Sequence, residues 1–211
     1  MKLSFAIRRY VDLKLLTQKQ AEELSHSDRT NLSLSYVFDL IKDKHLTIKQ
    51  ALALNYFGRE NLKSDVVRDF IKSGDLKIDE AIAMGIIQRS NLESPRIKLL
   101  IDSKILTLSQ AMSLTSSQAL ILGSEAISDL MLDGTLVLKK ALTLNDIGVA
   151  ALSNEDTRQK LRAGQLTIEQ IMVPPAAIPQ ARPGYGGFFP AVPNISGALY
   201  GAGLWALGYK Q

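Results

Sequence analysis

Apolar residues recur along this chain with a period of 30 residues. One column holds leucine in all six copies: Leu16, Leu46, Leu76, Leu106, Leu136 and Leu166. Five residues later a second column holds Ala21, Ala51, Ala81, Ala111 and Ala141, with Ile171 in the last copy. A further leucine column is Leu32, Leu62, Leu92, Leu122 and Leu152. Because no insertion or deletion disturbs the register, the pattern predicts a tandem structural repeat from Ser4 to about Met172.

Each copy is predicted to start with a short helix. Its first position is the column Ser4, Leu34, Ser64, Ser94, Ser124 and Asn154, where Ser and Asn are typical N-cap residues. Apolar residues such as Val67, Phe70 and Ile71 then follow at helical spacing. The helix is expected to end at the column Lys14, Lys44, Gly74, Lys104, Gly134 and Gly164. Glycine there favours a left-handed C-terminal residue, and lysine is the poorer substitute.

A second helix is predicted to begin with a capping box. The pairs Thr17 with Gln20, Thr47 with Gln50, Thr107 with Gln110 and Thr167 with Gln170 fit that pattern. The copies with Lys77 and Val137 depart from it, and the Val137 copy is expected to fray first. The leucine before the box and the alanine after it occupy hydrophobic-staple positions.

These helices, of about nine residues, are too short to be stable alone, so neighbouring copies must bury them. The predicted fold is all-α: a right-handed αα-hairpin solenoid of about five and a half 30-residue units over residues 1–172. Residues 173–211 differ in composition, because they hold six of the seven prolines and no acidic residue. We expect this tail to cap the solenoid, to dock into a groove or serve in export, or to contact a membrane surface. Its candidate docking residues are Tyr185, Phe188, Phe189 and Trp205.

Composition sets limits on the function. The formal net charge is only +4, cysteine is absent, and no 18-residue apolar run occurs in the first 172 positions. We therefore expect a cytoplasmic protein, or one secreted into a host cell without a cleaved signal peptide. The two histidines, His26 and His45, lie in different columns, and no pair has metal-ligand spacing. Since carboxylates are also scattered, the sequence predicts no catalytic, cofactor or metal site and hence no enzyme.

The helical repeat resembles the α-solenoid class that includes armadillo, HEAT and TPR arrays, which implies a binding scaffold. The segment Leu46–Leu54 resembles the first helix of transcription-activator-like DNA-binding repeats. The phosphate-contact segment of those repeats has no counterpart at Gly58–Asn61. A regular repeat joined to a distinct C-terminal segment also resembles effectors that intracellular bacteria such as Legionella inject by type IV secretion. That resemblance implies a C-terminal export signal.

Two functions are therefore kept open. The first is a protein–protein interaction scaffold, with candidate partner-binding residues in presumed loops after the second helix: Tyr56, Phe57, Arg59, Ile86, Ile87 and Arg89. The alternative for the apolar residues of this set is burial between repeats. The second function is nucleic-acid binding, which needs basic residues in register. Two columns favour it in part, namely Arg29, Arg59 and Arg89, and Arg8, Arg68, Lys98 and Arg158.

Overall fold

The computed structural model describes residues 3–173, and within this range it contains 17 helices and no strand. The all-α prediction is therefore confirmed. The described residues fall into two compact units. The first comprises residues 3–101 and 107–116, and the second comprises residues 102–106 and 117–173.

Helix bounds recur with the 30-residue period of the sequence, and we number the repeats from 1 to 6 by their starts at residues 4, 34, 64, 94, 124 and 154. Repeats 1 to 3 contain α1 Phe5–Asp12, α2 Gln18–Glu23, α3 His26–Ser33, α4 Ser35–Lys42, α5 Ile48–Leu52, α6 Tyr56–Lys63, α7 Asp65–Ser73, α8 Ile78–Ala83 and α9 Ile86–Glu93. Repeats 4 to 6 contain α10 Pro95–Asp102, α11 Leu108–Ser113, α12 Ser116–Gly123, α13 Glu125–Leu132, α14 Leu138–Ala141, α15 Asp146–Leu152, α16 Glu155–Arg162 and α17 Ile168–Ile171.

Each complete repeat thus contains three helices, and the predicted αα-hairpin is wrong. The chain leaves helical geometry after the second helix, and after one to three further residues an extended N-cap residue starts a third helix. The Asn55 side chain accepts from the Gly58 backbone N–H at 2.8 Å, and Ser25 forms a reciprocal capping box with Asp28. Because a side-chain cap satisfies N–H groups that a continuous helix would bond internally, it stabilises the break.

The ends of the first helices have the predicted backbone conformation. All six residues of the column are left-handed, with φ between 58° and 82°: Lys14, Lys44, Gly74, Lys104, Gly134 and Gly164. In repeat 2 the His45 N–H donates to the Leu40 carbonyl and the Lys44 N–H donates to the Ile41 carbonyl. These two bonds define a Schellman motif, which satisfies carbonyls left over at the helix end.

In each repeat, the starts of the first and second helices match the sequence prediction only in part. Ser4, Ser64 and Ser124 lie at N-cap positions but make no side-chain cap bond, whereas Asn154 caps α16 through two backbone N–H groups. The four Thr–Gln capping boxes of the second helices are all formed. Lys77 and Val137 provide no side-chain cap, and α14, which follows Val137, has only four residues.

The repeated apolar columns form the core of each unit. The alanine column from Ala21 to Ala141 and the leucine column from Leu32 to Leu152 are fully buried. In the first unit the third helix of one repeat packs on the second helix of the following repeat, in the pairs α3–α5, α6–α8 and α9–α11. In the second unit α15 packs on α17 in the same way. The small alanine permits this close approach of helices.

We expect Ala81→Leu and Ala111→Leu each to lower the free energy of unfolding by about 1–3 kcal/mol, because a larger side chain would overpack a fully buried position. Urea denaturation followed by circular dichroism measures the effect. Ala83→Leu is the matched control, since Ala83 is exposed in the same helix as Ala81 and its substitution should be near neutral. Equal midpoints for Ala81→Leu and Ala83→Leu would contradict the assignment of the packed column.

The column of left-handed residues gives a second prediction. Substitutions in two neighbouring repeats should change the stability of the protein in opposite directions. Lys44→Gly should stabilise the protein by about 0.5–1 kcal/mol, because lysine at φ 64° carries a Cβ that this conformation disfavours. Gly74→Ala should destabilise it by about 1 kcal/mol although no atom lies within 4 Å of the added Cβ. Thermal unfolding of the two variants tests the pair, and shifts in the same direction would rule out backbone conformation as the cause.

Candidate functional site

Four large apolar side chains of the first unit are exposed at equivalent positions of two consecutive repeats. The exposed fractions are 62% for Tyr56, 52% for Phe57, 59% for Ile86 and 53% for Ile87. We call these four residues the apolar patch. The alternative that they are buried between repeats is therefore wrong.

The apolar patch lies on helices and not on the loops expected from the sequence. Tyr56 and Phe57 are the first two residues of α6, and Ile86 and Ile87 are the first two of α9. Those helices bury residues further along, including the leucine column, so their first two side chains remain outside the core. The Tyr56 and Phe57 rings meet edge to face, with centroids 5.6 Å apart and planes at 77°. This arrangement is one that aromatic pairs prefer.

The residues that directly flank each pair of the apolar patch in the sequence are uncharged, and the nearest charged residues are Arg59 and Arg89. Neither residues 53–58 nor residues 83–88 include a charged side chain. The same columns hold His26 and Ser27 in repeat 1, and Ser116 and Ser117 in repeat 4. The paired apolar character is therefore specific to repeats 2 and 3, whereas the framework of helices is common to the repeats.

The arginines beside the apolar patch have a structural role. Arg59 lies in α6 and donates to the Asn31 side-chain oxygen at 2.8 Å, and Arg89 lies in α9 and makes the equivalent contact to Asn61 at 3.5 Å. Both arginines are only partly exposed. Arg29, in the same column, donates to backbone carbonyls at the end of α2 and just after it. The guanidinium groups of this column therefore donate to backbone carbonyls and asparagine side chains of the protein itself.

The second basic column is used in the same manner. One guanidinium nitrogen of Arg68 donates to the carbonyls of Leu62 and Lys63 at the end of α6, at 2.9 and 2.6 Å. Arg158 makes the equivalent bond to the Leu152 carbonyl at 2.7 Å. Cations at helix C-termini satisfy unpaired carbonyls and oppose the helix dipole. The register of these arginines is thus explained by helix capping, and it no longer favours nucleic-acid binding.

The arginines belong to a buried polar network that the sequence analysis missed. Asn31, Asn61 and Asn91 are almost completely buried. Each donates from its side-chain amide to carbonyls at the end of the next repeat's second helix, three for Asn31 and two each for Asn61 and Asn91. The shortest contacts are 3.0, 2.7 and 2.9 Å. We call these three residues the asparagine ladder. Their 30-residue spacing was a visible signal, since a polar residue in register next to the leucine column indicates a repeated buried hydrogen bond.

No arrangement of reactive groups appears among the described residues. Within residues 3–173 no group of three His, Asp or Glu side chains could hold a metal ion. A shallow cleft of about 370 Å³ in the second unit is lined by residues that include Glu155, Arg158 and Arg162. The hydrogen bond from Arg158 lowers the pKa of Glu155, so this carboxylate is ionised at neutral pH and is unsuited to act as a general acid. No helix in the described range is long and apolar enough to cross a membrane.

Comparison with protein-family models, with curated proteins and with solved structures finds no match to this chain. The tail candidates Tyr185, Phe188, Phe189 and Trp205 lie outside the described residues. The apolar patch is therefore the candidate binding surface, and the arginines that were grouped with it support the fold beneath it.

We expect Asn61→Leu to lower the free energy of unfolding by about 2–4 kcal/mol, because it leaves the buried carbonyls of Ala81 and Met84 without their donor. Asn55→Ala is the comparison, since it removes only an exposed N-cap, which is worth about 1 kcal/mol. Urea midpoints measured side by side give the ranking. If Asn61→Leu costs no more than Asn55→Ala, the ladder is not an important source of stability.

Proposed function

We propose that this protein is a non-enzymatic protein–protein interaction scaffold of the α-solenoid type. The observation that carries the proposal is the apolar patch, which exposes more than half of each of four large side chains on a repeated helical framework. Exposed apolar patches of this kind mark interaction sites in soluble proteins. A solenoid is supported by the recurrent packing of third helices on the next second helices within each unit.

The size and charge of the apolar patch favour one kind of partner. Four side chains of this size, half exposed, present on the order of 400 Å². A stable interface between folded proteins buries about 800 Å² on each side, so the patch is too small for a permanent dimer. The nearest charged residues, Arg59 and Arg89, direct their guanidinium groups to Asn31 and Asn61 within the fold. The occupant we propose is a short, uncharged apolar segment of a partner protein.

The resemblance to type IV effectors extends the proposal to a bacterial protein that acts inside a host cell. Residues 173–211 would then carry the export signal, and the scaffold would engage a host protein. The support for this extension is the composition of that segment, which is rich in proline and aromatic residues and lacks acidic ones. Nucleic-acid binding is the second candidate. Both of its basic columns contain arginines that cap helix ends, so we rank it below a protein partner.

Selection from a random peptide display library against the full-length protein tests the function. We expect enriched peptides to be apolar and uncharged, and to bind as well in 0.5 M NaCl as in 0.05 M NaCl, because burial of apolar surface is not screened by salt. The variant with Tyr56→Ser, Phe57→Ser, Ile86→Ser and Ile87→Ser should lose binding by at least tenfold. All four residues are exposed, so we expect little change in thermal stability.

The matched control is Leu120→Ser, which removes one exposed apolar side chain that does not belong to the patch. It should leave peptide binding unchanged. Enrichment of charged peptides, or peptides that bind the quadruple variant equally well, would contradict the proposal. Titration with random-sequence duplex DNA should show no binding at 0.15 M NaCl, and binding that weakens steeply with salt would favour the nucleic-acid alternative.

A further inference from the structure

The asparagine ladder is confined to the first compact unit. Its bonds connect residues 31 to 54, 61 to 84 and 91 to 114, all of which belong to that unit. In the second unit the same column holds Ile121 and Ala151, whose side chains have no hydrogen-bond donor. The carbonyls of Ala141 and Leu144, which correspond to the acceptors of the ladder, therefore receive no bond from this column.

Successive repeats of the second unit are joined by exposed polar contacts. The Lys140 ammonium lies 3.1 Å from the Glu169 carboxylate, and the two side chains are 50% and 63% exposed. The Arg162 guanidinium lies 2.8 Å from the Asp133 carboxylate, with side chains 38% and 37% exposed. The Asn145 amide donates to the Met172 carbonyl at 3.1 Å, also at an exposed position.

These two kinds of connection respond differently to ionic strength. Dissolved salt screens ion pairs that are open to solvent, whereas it has little effect on a buried neutral amide–carbonyl bond. The pKa of Asp133 is lowered because hydrogen bonds from Thr135 and Arg162 outweigh a burial effect of opposite sign. The depressed pKa is consistent with the Arg162–Asp133 pair contributing to the folded state at neutral pH.

We propose that the second compact unit opens as a separate cooperative unit whose stability falls as ionic strength rises, while the ladder makes the first unit less sensitive to salt, because the ion pairs Lys19–Glu23, Arg68–Asp65 and Arg89–Glu93 each lie within one helix. The chain therefore contains a salt-sensitive conformational device. At low ionic strength both units are closed. At high ionic strength α13 to α17 open more often, and the helices of the first unit, including those that carry the apolar patch, stay folded.

Hydrogen exchange of the full-length protein, resolved by peptide and mass spectrometry, tests this device. We expect amide exchange in α14, α16 and α17 to accelerate about fivefold between 0.05 and 0.5 M NaCl, because two exposed ion pairs lose their attraction. Amides of α5, α8 and α11 in the same sample are the internal control and should keep their rates. Equal acceleration in both units, or no acceleration in the second unit, would overturn the proposal.

Two variants test the cause. The double variant Asp133→Asn and Glu169→Gln removes the carboxylates of both ion pairs between repeats, so its second unit should open faster at low salt and respond less to added NaCl. The ion pairs of Glu155 and Asp156 within α16 remain. Ile121→Asn restores an amide donor at the ladder position, and we expect about fivefold slower exchange around Ala141 and Leu144. If the double variant retains the full salt response, the two ion pairs are not its source and the proposed device is wrong.

Discussion

The first unit of this protein depends on a single kind of buried hydrogen bond. A second helix of five or six residues ends with carbonyls that it cannot pair itself, and these ends are covered by the preceding repeat. The side-chain amide of Asn31, Asn61 or Asn91 donates to these carbonyls. The side-chain oxygens of Asn31 and Asn61 in turn accept from the partly buried Arg59 and Arg89. Burial of the leucine and alanine columns is compatible with the break between the second and third helices because this pairing gives the buried carbonyls at the break a hydrogen-bond donor.

The sequence predicts those features of the fold that are local. The 30-residue period, the left-handed residues and the Thr–Gln capping boxes each depend on side chains close together in the chain. The third helix was missed because the residues that follow Ser25 and Asn55 were assigned to loops, although both residue types favour N-caps. The asparagine column is visible in the sequence, but its acceptors lie 20 and 23 positions away, and no local pattern identifies them.

The candidate site shows the limit of sequence analysis more sharply. The sequence singles out Tyr56, Phe57, Ile86 and Ile87 as candidates, but their exposure became known only from the structure, since apolar side chains are usually buried. Arg59 and Arg89 were grouped with them, yet their guanidinium groups face the asparagine ladder. A column of arginines looks the same in a sequence whether it faces phosphate groups or the carbonyls of a neighbouring helix.

The location of the apolar patch on the first turns of α6 and α9 has a consequence for how such a surface could change. The backbone of these helices is already ordered before a partner binds, so binding costs little conformational entropy on the side of this protein. The equivalent residues of repeat 1, His26 and Ser27, occupy the same two positions at the start of α3. Exchanging two side chains there would extend the surface by one repeat with the framework unchanged, so the length of this binding surface can be set one repeat at a time.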